Sequence, residues 1–446
     1  MKRTFRIGGV HPHDNKISAE AAIEVLPVVE TAFISMAQHL GAPATPVVQV
    51  GDKVKVGQVI GEPSGFISGY VHSSVSGTVK SVAPRADIAG NPVMHVEIAV
   101  EGDEWAEGID TSKDIVKEIP YSAEEIVEKI KAAGVVGLGG ASFPTHVKLA
   151  PPKDKKAEAL ILNGTECEPY ITSDDRIMRE RPVEILIGGT IMLKALGVDK
   201  GYVGIEENKS AAIASMTEAA KDFPQFEIVV LKKKYPQGGE KQLIDSVMHR
   251  QVPSGKLPID VGAVVQNVAT ALAVYEAVQK GKPCIDNVIT VTGRCLPAQH
   301  NFQVRIGTPI STILEACGGL PEDAAKLISG GPMMGRAVAN PDASTVKANG
   351  AFLILTEKET LRREETNCIR CGKCADACPM GLEPWLLNKL ARAGGRYDDL
   401  EKERIFDCIE CGCCLYTCPA NIPLLDLIRI NKAEVMKIIR GRAAKK

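Results

Sequence analysis

Eight cysteines carry the strongest chemical signal in the chain. They stand as Cys368, Cys371, Cys374 and Cys378, closed by Pro379, and again as Cys408, Cys411, Cys414 and Cys418, closed by Pro419. The spacing C-x2-C-x2-C-x3-C-P is a ligand run for 4Fe–4S cubanes. Three cysteines on one irregular loop hold three irons of a cubane. The fourth, carried away at the start of a helix whose first position suits proline, ligates the other cluster. The expected sets are therefore Cys368, Cys371, Cys374 and Cys418 for one cluster, and Cys408, Cys411, Cys414 and Cys378 for the second. Structural zinc draws its ligands as separated pairs, so two complete quartets speak for clusters, each accepting one electron at a time.

A chain of 446 residues has room for about three or four domains. With 45% hydrophobic and 24% charged residues and a net charge of −2, it has the composition of a soluble globular protein. That balance predicts neither nucleic-acid binding nor a strongly acidic partner. No run of about 18 apolar residues is present, so no segment is expected to span a bilayer. The opening MKRTFRIGGVHPH lacks the apolar stretch of a signal peptide, and cluster assembly needs a reducing compartment; a cytoplasmic location is expected. Cys167, Cys284, Cys295, Cys317 and Cys413 remain, and read mostly as buried thiols behaving as small hydrophobes.

The elements that must position the cysteines begin far upstream. Residues 1–41 predict an irregular start and a helix around Ala19–Leu40, with His11-Pro12-His13 read as a turn rather than a metal site. From Pro43 to Val100, short alternating runs punctuated by glycine predict strands, and the rhythm looks like a barrel-sandwich domain of the biotinyl/lipoyl kind. Such carriers present a lysine between their two halves. Here the stretch is Gly65-Phe66-Ile67-Ser68-Gly69-Tyr70, which removes the swinging arm and leaves a docking module.

After a charged connector, Ser122 and Glu125 form a capping box for a helix with Ile126, Val127 and Ile130 at helical spacing. The loop Gly134 to Lys148 then offers backbone N–H groups to a phosphate, a weak signal alone. The buried strand at Ala159–Leu162 runs into Asn163, Glu166 and Glu168. Strands and helices alternate over residues 123–280, which predicts an α/β sheet with ligands beyond the carboxyl ends of its strands. Tyr235, Gly238, Gly239 and Glu240 form another strand-to-helix turn, and Gln266, Asn267 and Thr270 open a further helix. From Asn287 the pattern is β-rich again, with a close-approach loop at SGGPMMG (residues 329–335). The last helix, from Asn421 onward, has apolar positions Leu424, Leu427, Ile428 and Ile430–Val435. It ends in Lys437, Arg440, Arg442, Lys445 and Lys446. Two readings of those cations stay open: a solvated helix end, or a basic patch facing anionic lipid or a membrane partner.

The set GLGGASFPTHVK, NGTECEP, YPQGGEKQL and VVQNVATAL resembles, in order and spacing, the FMN- and NADH-binding subunit of respiratory complex I. Preceded by FRIGGVHPHDNK and the barrel-sandwich domain, and followed by the two cysteine quartets, the whole chain resembles the RnfC family. Rnf complexes are membrane-bound ferredoxin:NAD oxidoreductases that move Na⁺ or H⁺. The resemblance implies a multidomain α/β protein: a barrel-sandwich domain (1–110), an FMN/NADH-binding α/β domain (111–283), an SLBB-like β-grasp domain (284–357), and a ferredoxin-like α-helical domain with two 4Fe–4S clusters and the basic helix (358–446).

It also implies site roles. Gly137, Gly139, Gly140 and Lys148 would hold the FMN phosphate and ribityl chain. Asn163 and Glu166 would approach the isoalloxazine, with Tyr235, Gly238, Gly239 and Glu240 on the same site and Gln266, Asn267 and Thr270 adding polar contacts. Glu166 and Glu240 would orient flavin and nicotinamide. NAD(H) would be the substrate and the membrane subunits of the complex the partners, delivering ferredoxin-derived electrons at the cytoplasmic face of the membrane. Leu138 and Cys167 depart from the complex I pattern, which has arginine and serine there. A cobalamin reductase of bacterial microcompartments shares the domain string, and a relay protein with an empty flavin fold is the alternative from another class.

Overall fold

The computed structural model describes residues 2–152 and 154–443. Two β-sheets face each other in the N-terminal third. One has the strand order Thr31–Ser35, Pro92–Val100, Gly77–Ala86, Lys53–Val54; the other joins Thr45–Pro46, Val59–Glu62 and Val71–His72. Their facing residues, among them Ile34, Met36, Ile60, Val79, Val96 and Ile98, make one apolar core, as alternation along half-buried strands requires. This is the expected barrel sandwich.

The helix expected around Ala19–Leu40 is absent. Strands Ile23–Val25 and Thr31–Ser35 occupy that stretch. Pro27 cannot continue a helix, and the surrounding β-branched residues fit pleated surface better. The tertiary partners then decide. Ile23–Val25 pairs in parallel with His300–Arg305, and Thr31–Ser35 pairs antiparallel with Pro92–Val100. Arg3, Val10 and Ile23–Val25 therefore pair with backbone outside the sandwich and tie the domains together.

The central domain carries a parallel sheet in the order Phe226–Leu231, Gly201–Glu206, Ala159–Gly164, Ala263–Asn267. It is entered through the helix Ala123–Ala132, whose capping box between Ser122 and Glu125 is formed and whose Ile126 and Ile130 are buried. Helices Pro182–Leu196 and Val268–Gln279 pack together on the sheet. Gly188 permits that contact, because a Cβ there would stand 1.8 Å from the Ala271 carbonyl oxygen.

A mixed sheet with the helix Ile310–Ala316 forms the β-grasp domain. Its strand order is Ile23–Val25, His300–Arg305, Asp286–Thr292, Ala351–Thr356, Ala324–Ser329, Arg336–Ala337. The C-terminal domain is helical. Each cysteine loop leads into a one-turn helix, Lys373–Asp376 or Cys413–Tyr416, entered through a left-handed glycine, Gly372 or Gly412. Cys378 and Cys418 thus follow a short helix, where the sequence predicted that they would begin one. The final helix, Leu424–Ala443, buries Leu424, Leu425, Ile428 and Val435, while Ile430 is 61% exposed and lies off the apolar face.

Candidate functional site

Strand order places a crevice. The chain steps outward from Ala159–Gly164 through two parallel strands, then returns to lay Ala263–Asn267 on the other side of the first. In an open parallel sheet, the crevice beyond the carboxyl ends at such a reversal is where ligands bind. Asn163 and Asn267 end these two strands in register with each other.

Both asparagines are held. The Asn267 side-chain oxygen caps the following helix by accepting the Ala269 N–H at 2.7 Å, and its amide donates to Asp174 at 2.7 Å. Asn163 donates to the Gly238 carbonyl at 2.9 Å and accepts from the Thr165 hydroxyl at 2.6 Å. The glycine-rich loop lies across the same strand ends, pinned by the Leu138 N–H donating to Thr270 Oγ1 at 2.9 Å. Lys148 Nζ reaches Glu240 at 2.7 Å and the Val265 carbonyl at 3.2 Å. The structure therefore brings together Leu138–Gly140, Lys148, Asn163, Gly238, Glu240, Asn267 and Thr270.

The glycines differ in what they face. A Cβ on Gly139 would meet the Asn267 amide nitrogen at 2.5 Å, and one on Gly238 the Thr165 hydroxyl at 2.4 Å, so these two allow close backbone packing. Gly239 faces Gln242 in the same way, Gly137 has ordinary clearance, and Gly140 opens onto free space. Gln266 is buried and its amide nitrogen has no partner among the described residues. An ammonium, loop amides beside open space and an unpartnered amide fit a phosphate with a polar heterocycle attached. FMN suits that donor set.

Two of the expected site residues serve elsewhere. Glu166 adopts a left-handed backbone, φ 44°. Its carboxylate accepts the Asp174 N–H at 2.7 Å and the Asp175 N–H at 3.4 Å, capping the helix Ser173–Glu180. Helix-start donors are otherwise orphaned, and this need ties up the carboxylate that the sequence assigned to the flavin. Tyr235 is buried, and its hydroxyl lies 2.9 Å from the Cys411 carbonyl and 3.2 Å from Glu168; it belongs to the cysteine side of the domain.

Sequence reasoning missed Lys16. Its Nζ donates to the carbonyls of Glu166, Glu168 and Ile171 at 2.8, 2.8 and 2.6 Å and stands 3.9 Å from the Glu166 carboxylate. Glu206, Lys209, Asp174 and Asp175 complete a buried ionic cluster under the crevice. Burial pushes the Glu166 carboxyl up and the Lys16 ammonium down, while each charge opposes the shift of the other. Burial likewise lifts Asp174 to about 6, with the Asn267 hydrogen bond opposing, and raises the Cys167 thiol, which accepts the Gly238 N–H at 3.3 Å. One lysine in an irregular stretch gives no periodic signal. Lys16→Met should leave the Glu168 and Ile171 carbonyls without their donor and Lys209 alone beside Glu166, and cost about 3–5 kcal/mol, read as a lowered denaturation midpoint.

The cysteines fall into unequal surroundings. Cys408 packs against the apolar cluster that contains Cys378, and Cys374 and Cys418 pack against the cluster that contains Cys414. Cys378, Cys411 and Cys414 are buried and Cys408 half-buried, whereas Cys368 and Cys371 are exposed, with Ile369 between them 68% exposed. Cys413 is fully buried and points its thiol at the Tyr235 carbonyl, 3.9 Å away. His11 Nδ1 lies 3.1 Å from the Lys233 carbonyl.

Four family models match the chain in order. They are an RnfC barrel sandwich hybrid domain over residues 4–104, a Nuo51 FMN-binding domain over 130–276, an SLBB domain over 288–337, and a 4Fe–4S dicluster domain over 360–419. Among curated proteins, a subunit of the proton-translocating ferredoxin:NAD(+) oxidoreductase complex of Clostridium ljungdahlii is 46% identical, over 97% of this chain and 94% of its own. Its counterpart in the Na(+)-translocating complex of Acetobacterium woodii is 42% identical over 97% of each chain. The counterpart in the ion-translocating oxidoreductase complex of Rhodobacter capsulatus is 42% identical, over 96% of this chain and 82% of its own.

Proposed function

The chain belongs to the RnfC family, whose members are subunits of ion-translocating ferredoxin:NAD oxidoreductase complexes, and on that premise we propose that it is the NAD(H)-facing electron-transfer member of such a complex, working with FMN and two 4Fe–4S clusters. NADH yields two electrons as a hydride and a cluster accepts one, and FMN supplies the conversion between them. The residues present divide the work. Lys148 and the N–H groups around Gly139 and Gly140 bind the phosphate. Asn163, Asn267 and Gln266 line the strand ends where the heterocycle is oriented. Glu240, at the start of its helix, holds Lys148 in place.

The observation that carries the reading is that the crevice and the second cysteine loop share a wall. Tyr235 touches the Cys411 carbonyl, and Gly238, three residues on, touches Asn163. The quartet of Cys408, Cys411, Cys414 and Cys378 is then the inner cluster, next to the flavin. The quartet of Cys368, Cys371, Cys374 and Cys418 is the outer one, whose exposed edge receives electrons that partner subunits bring from ferredoxin. The direct test is iron, sulfide and FMN per purified chain, followed by NADH bleaching of the flavin absorbance. A chain that carries iron but no FMN would be an electron relay instead.

Ion movement belongs to membrane subunits in this reading, and the chain sits against them as a peripheral subunit on the cytoplasmic face. No helix among the described residues is long and apolar enough to cross a membrane. Part of the basic helix end is paired: Arg442 with Asp398 and Glu401, and Lys437 with Glu434, while Arg440 is exposed with no ion pair among the described residues. Lys445 and Lys446 lie outside the described residues. In this reading the chain is held at the surface by polar contacts with its partner subunits, and high salt or an alkaline wash of membrane vesicles should release it, since surface electrostatics are screened at such ionic strength. Retention through both washes would count against peripheral attachment.

A further inference from the structure

Five distant segments meet at one buried point beside the crevice. Glu168 comes from the acidic loop after the Asn163 strand. Its Oε2 accepts the Met333 N–H at 3.1 Å and its Oε1 the Met334 N–H at 2.8 Å, both from the β-grasp loop. The Tyr235 hydroxyl stands 3.2 Å from the same Oε1 and 2.9 Å from the Cys411 carbonyl oxygen. Val10 of the N-terminal segment closes the back, exchanging two backbone hydrogen bonds with Tyr235 at 2.8 and 2.9 Å. Val10, Tyr235, Ala377, Cys411 and Cys413 pack as one apolar cluster around this point. The approach is close. A Cβ on Gly331 would sit 2.2 Å from the Glu168 carboxylate, and one on Gly412 would sit 3.0 Å from the Met333 carbonyl.

We infer that Glu168 and Tyr235 are positioning residues that lock the Cys408–Cys414 loop against the flavin crevice and so set the gap that electrons cross; this rests on the function proposed above. An ionised carboxylate only accepts, and it gathers two N–H groups from one domain while the phenol of a second residue faces it. That phenol has one proton and two acceptors, the carboxylate and the carbonyl of a cluster ligand, so it couples the acidic loop to the cysteine loop. Water is excluded, since Tyr235 is 2% exposed. In such surroundings each hydrogen bond restrains geometry more strongly than it would at the surface.

The experiment uses the full chain loaded with FMN and clusters, in three variants. Tyr235→Phe keeps the ring and its packing and removes only the coupling hydroxyl. Glu168→Gln turns one acceptor oxygen into a donor that faces other donors. The third combines both. Each should purify with wild-type FMN and iron. In the single variants the EPR line shape of the reduced inner cluster should change while that of the outer cluster stays fixed. NADH-driven reduction of the clusters should slow about tenfold, with reduction by dithionite unaffected. Because the two residues form one network, the double variant should lose little beyond the worse single one. Unchanged inner-cluster spectra and rates in a fully loaded Tyr235→Phe protein overturn the inference alone, as do equal spectral changes in both clusters. Wild-type protein that binds no FMN overturns the proposed function and takes this inference with it.

Discussion

Cys378→Ala should abolish the cluster held by Cys408, Cys411 and Cys414 and spare the one held by its own sequence neighbours. Iron should fall by about four per chain, and the EPR signal that disappears should be that of the buried cluster. Cys378 shares an apolar cluster with Cys408 of the second motif, and its backbone is clamped by the N-terminal segment and by the central domain. Gly9 donates its N–H to the Ala377 carbonyl at 3.0 Å, and Gln242 donates to the Pro379 carbonyl at 3.2 Å. Those two bonds fix the backbone on either side of Cys378. Cys418→Ala should do the converse and remove the exposed cluster, since Cys418 neighbours Cys374. Cys413→Ala should keep all the iron, its thiol being directed at the Tyr235 carbonyl. If Cys378→Ala erased only the cluster of Cys368, Cys371 and Cys374, the crossed ligation would be wrong.

Local rules that need only neighbouring residues were legible in the sequence. The capping box at Ser122 and Glu125 formed as read, and the buried strand read at Ala159–Leu162 is present as Ala159–Gly164. Where distant partners decide, the sequence was silent. Ala19–Leu40 looked helical until a β-grasp strand claimed one part of it and a distant strand of the sandwich the other. Glu166 has the type and place of a flavin ligand, yet the nearest demand on its carboxylate is a helix start eight residues on. Lys16 shows nothing in sequence, because its three acceptors are carbonyls about 150 residues away, brought near only by folding. The Met333–Met334 loop was legible as a close-approach turn, and its target, Glu168, was not. The glycines of the phosphate loop read alike in sequence, and only the fold separates the one facing open space from the one packed on Asn267.

That separation dictates the second large effect. Gly140→Val should abolish FMN binding while the C-terminal clusters still assemble. A Cβ at Gly140 would meet no protein atom within 4 Å, so the free chain accommodates it, and the branched group then fills the open space beside the loop. Gly140 is not among the glycines of positive φ, so the substitution brings no left-handed backbone strain. Gly139→Val is the less discriminating change, because its Cβ would displace Asn267, which caps the helix Val268–Gln279. Loss of such a cap costs about 1 kcal/mol by itself, and flavin loss and instability would then be mixed. Lys148→Ala removes the cation at the crevice and frees Glu240, its partner at 2.7 Å. FMN affinity should fall by about 1.5–3 kcal/mol, the worth of a hydrogen bond to a charged group. Flavin fluorescence titration of the apoprotein reads both changes, with a thermal melt of the same sample to show that Gly140→Val is folded. NADH-dependent reduction of an artificial acceptor should vanish in Gly140→Val, and dithionite should still reduce its clusters, since dithionite needs no hydride acceptor. A Gly140→Val chain that binds FMN with wild-type affinity, or oxidises NADH at the wild-type rate, would place the flavin somewhere other than the crevice at Asn163 and Asn267.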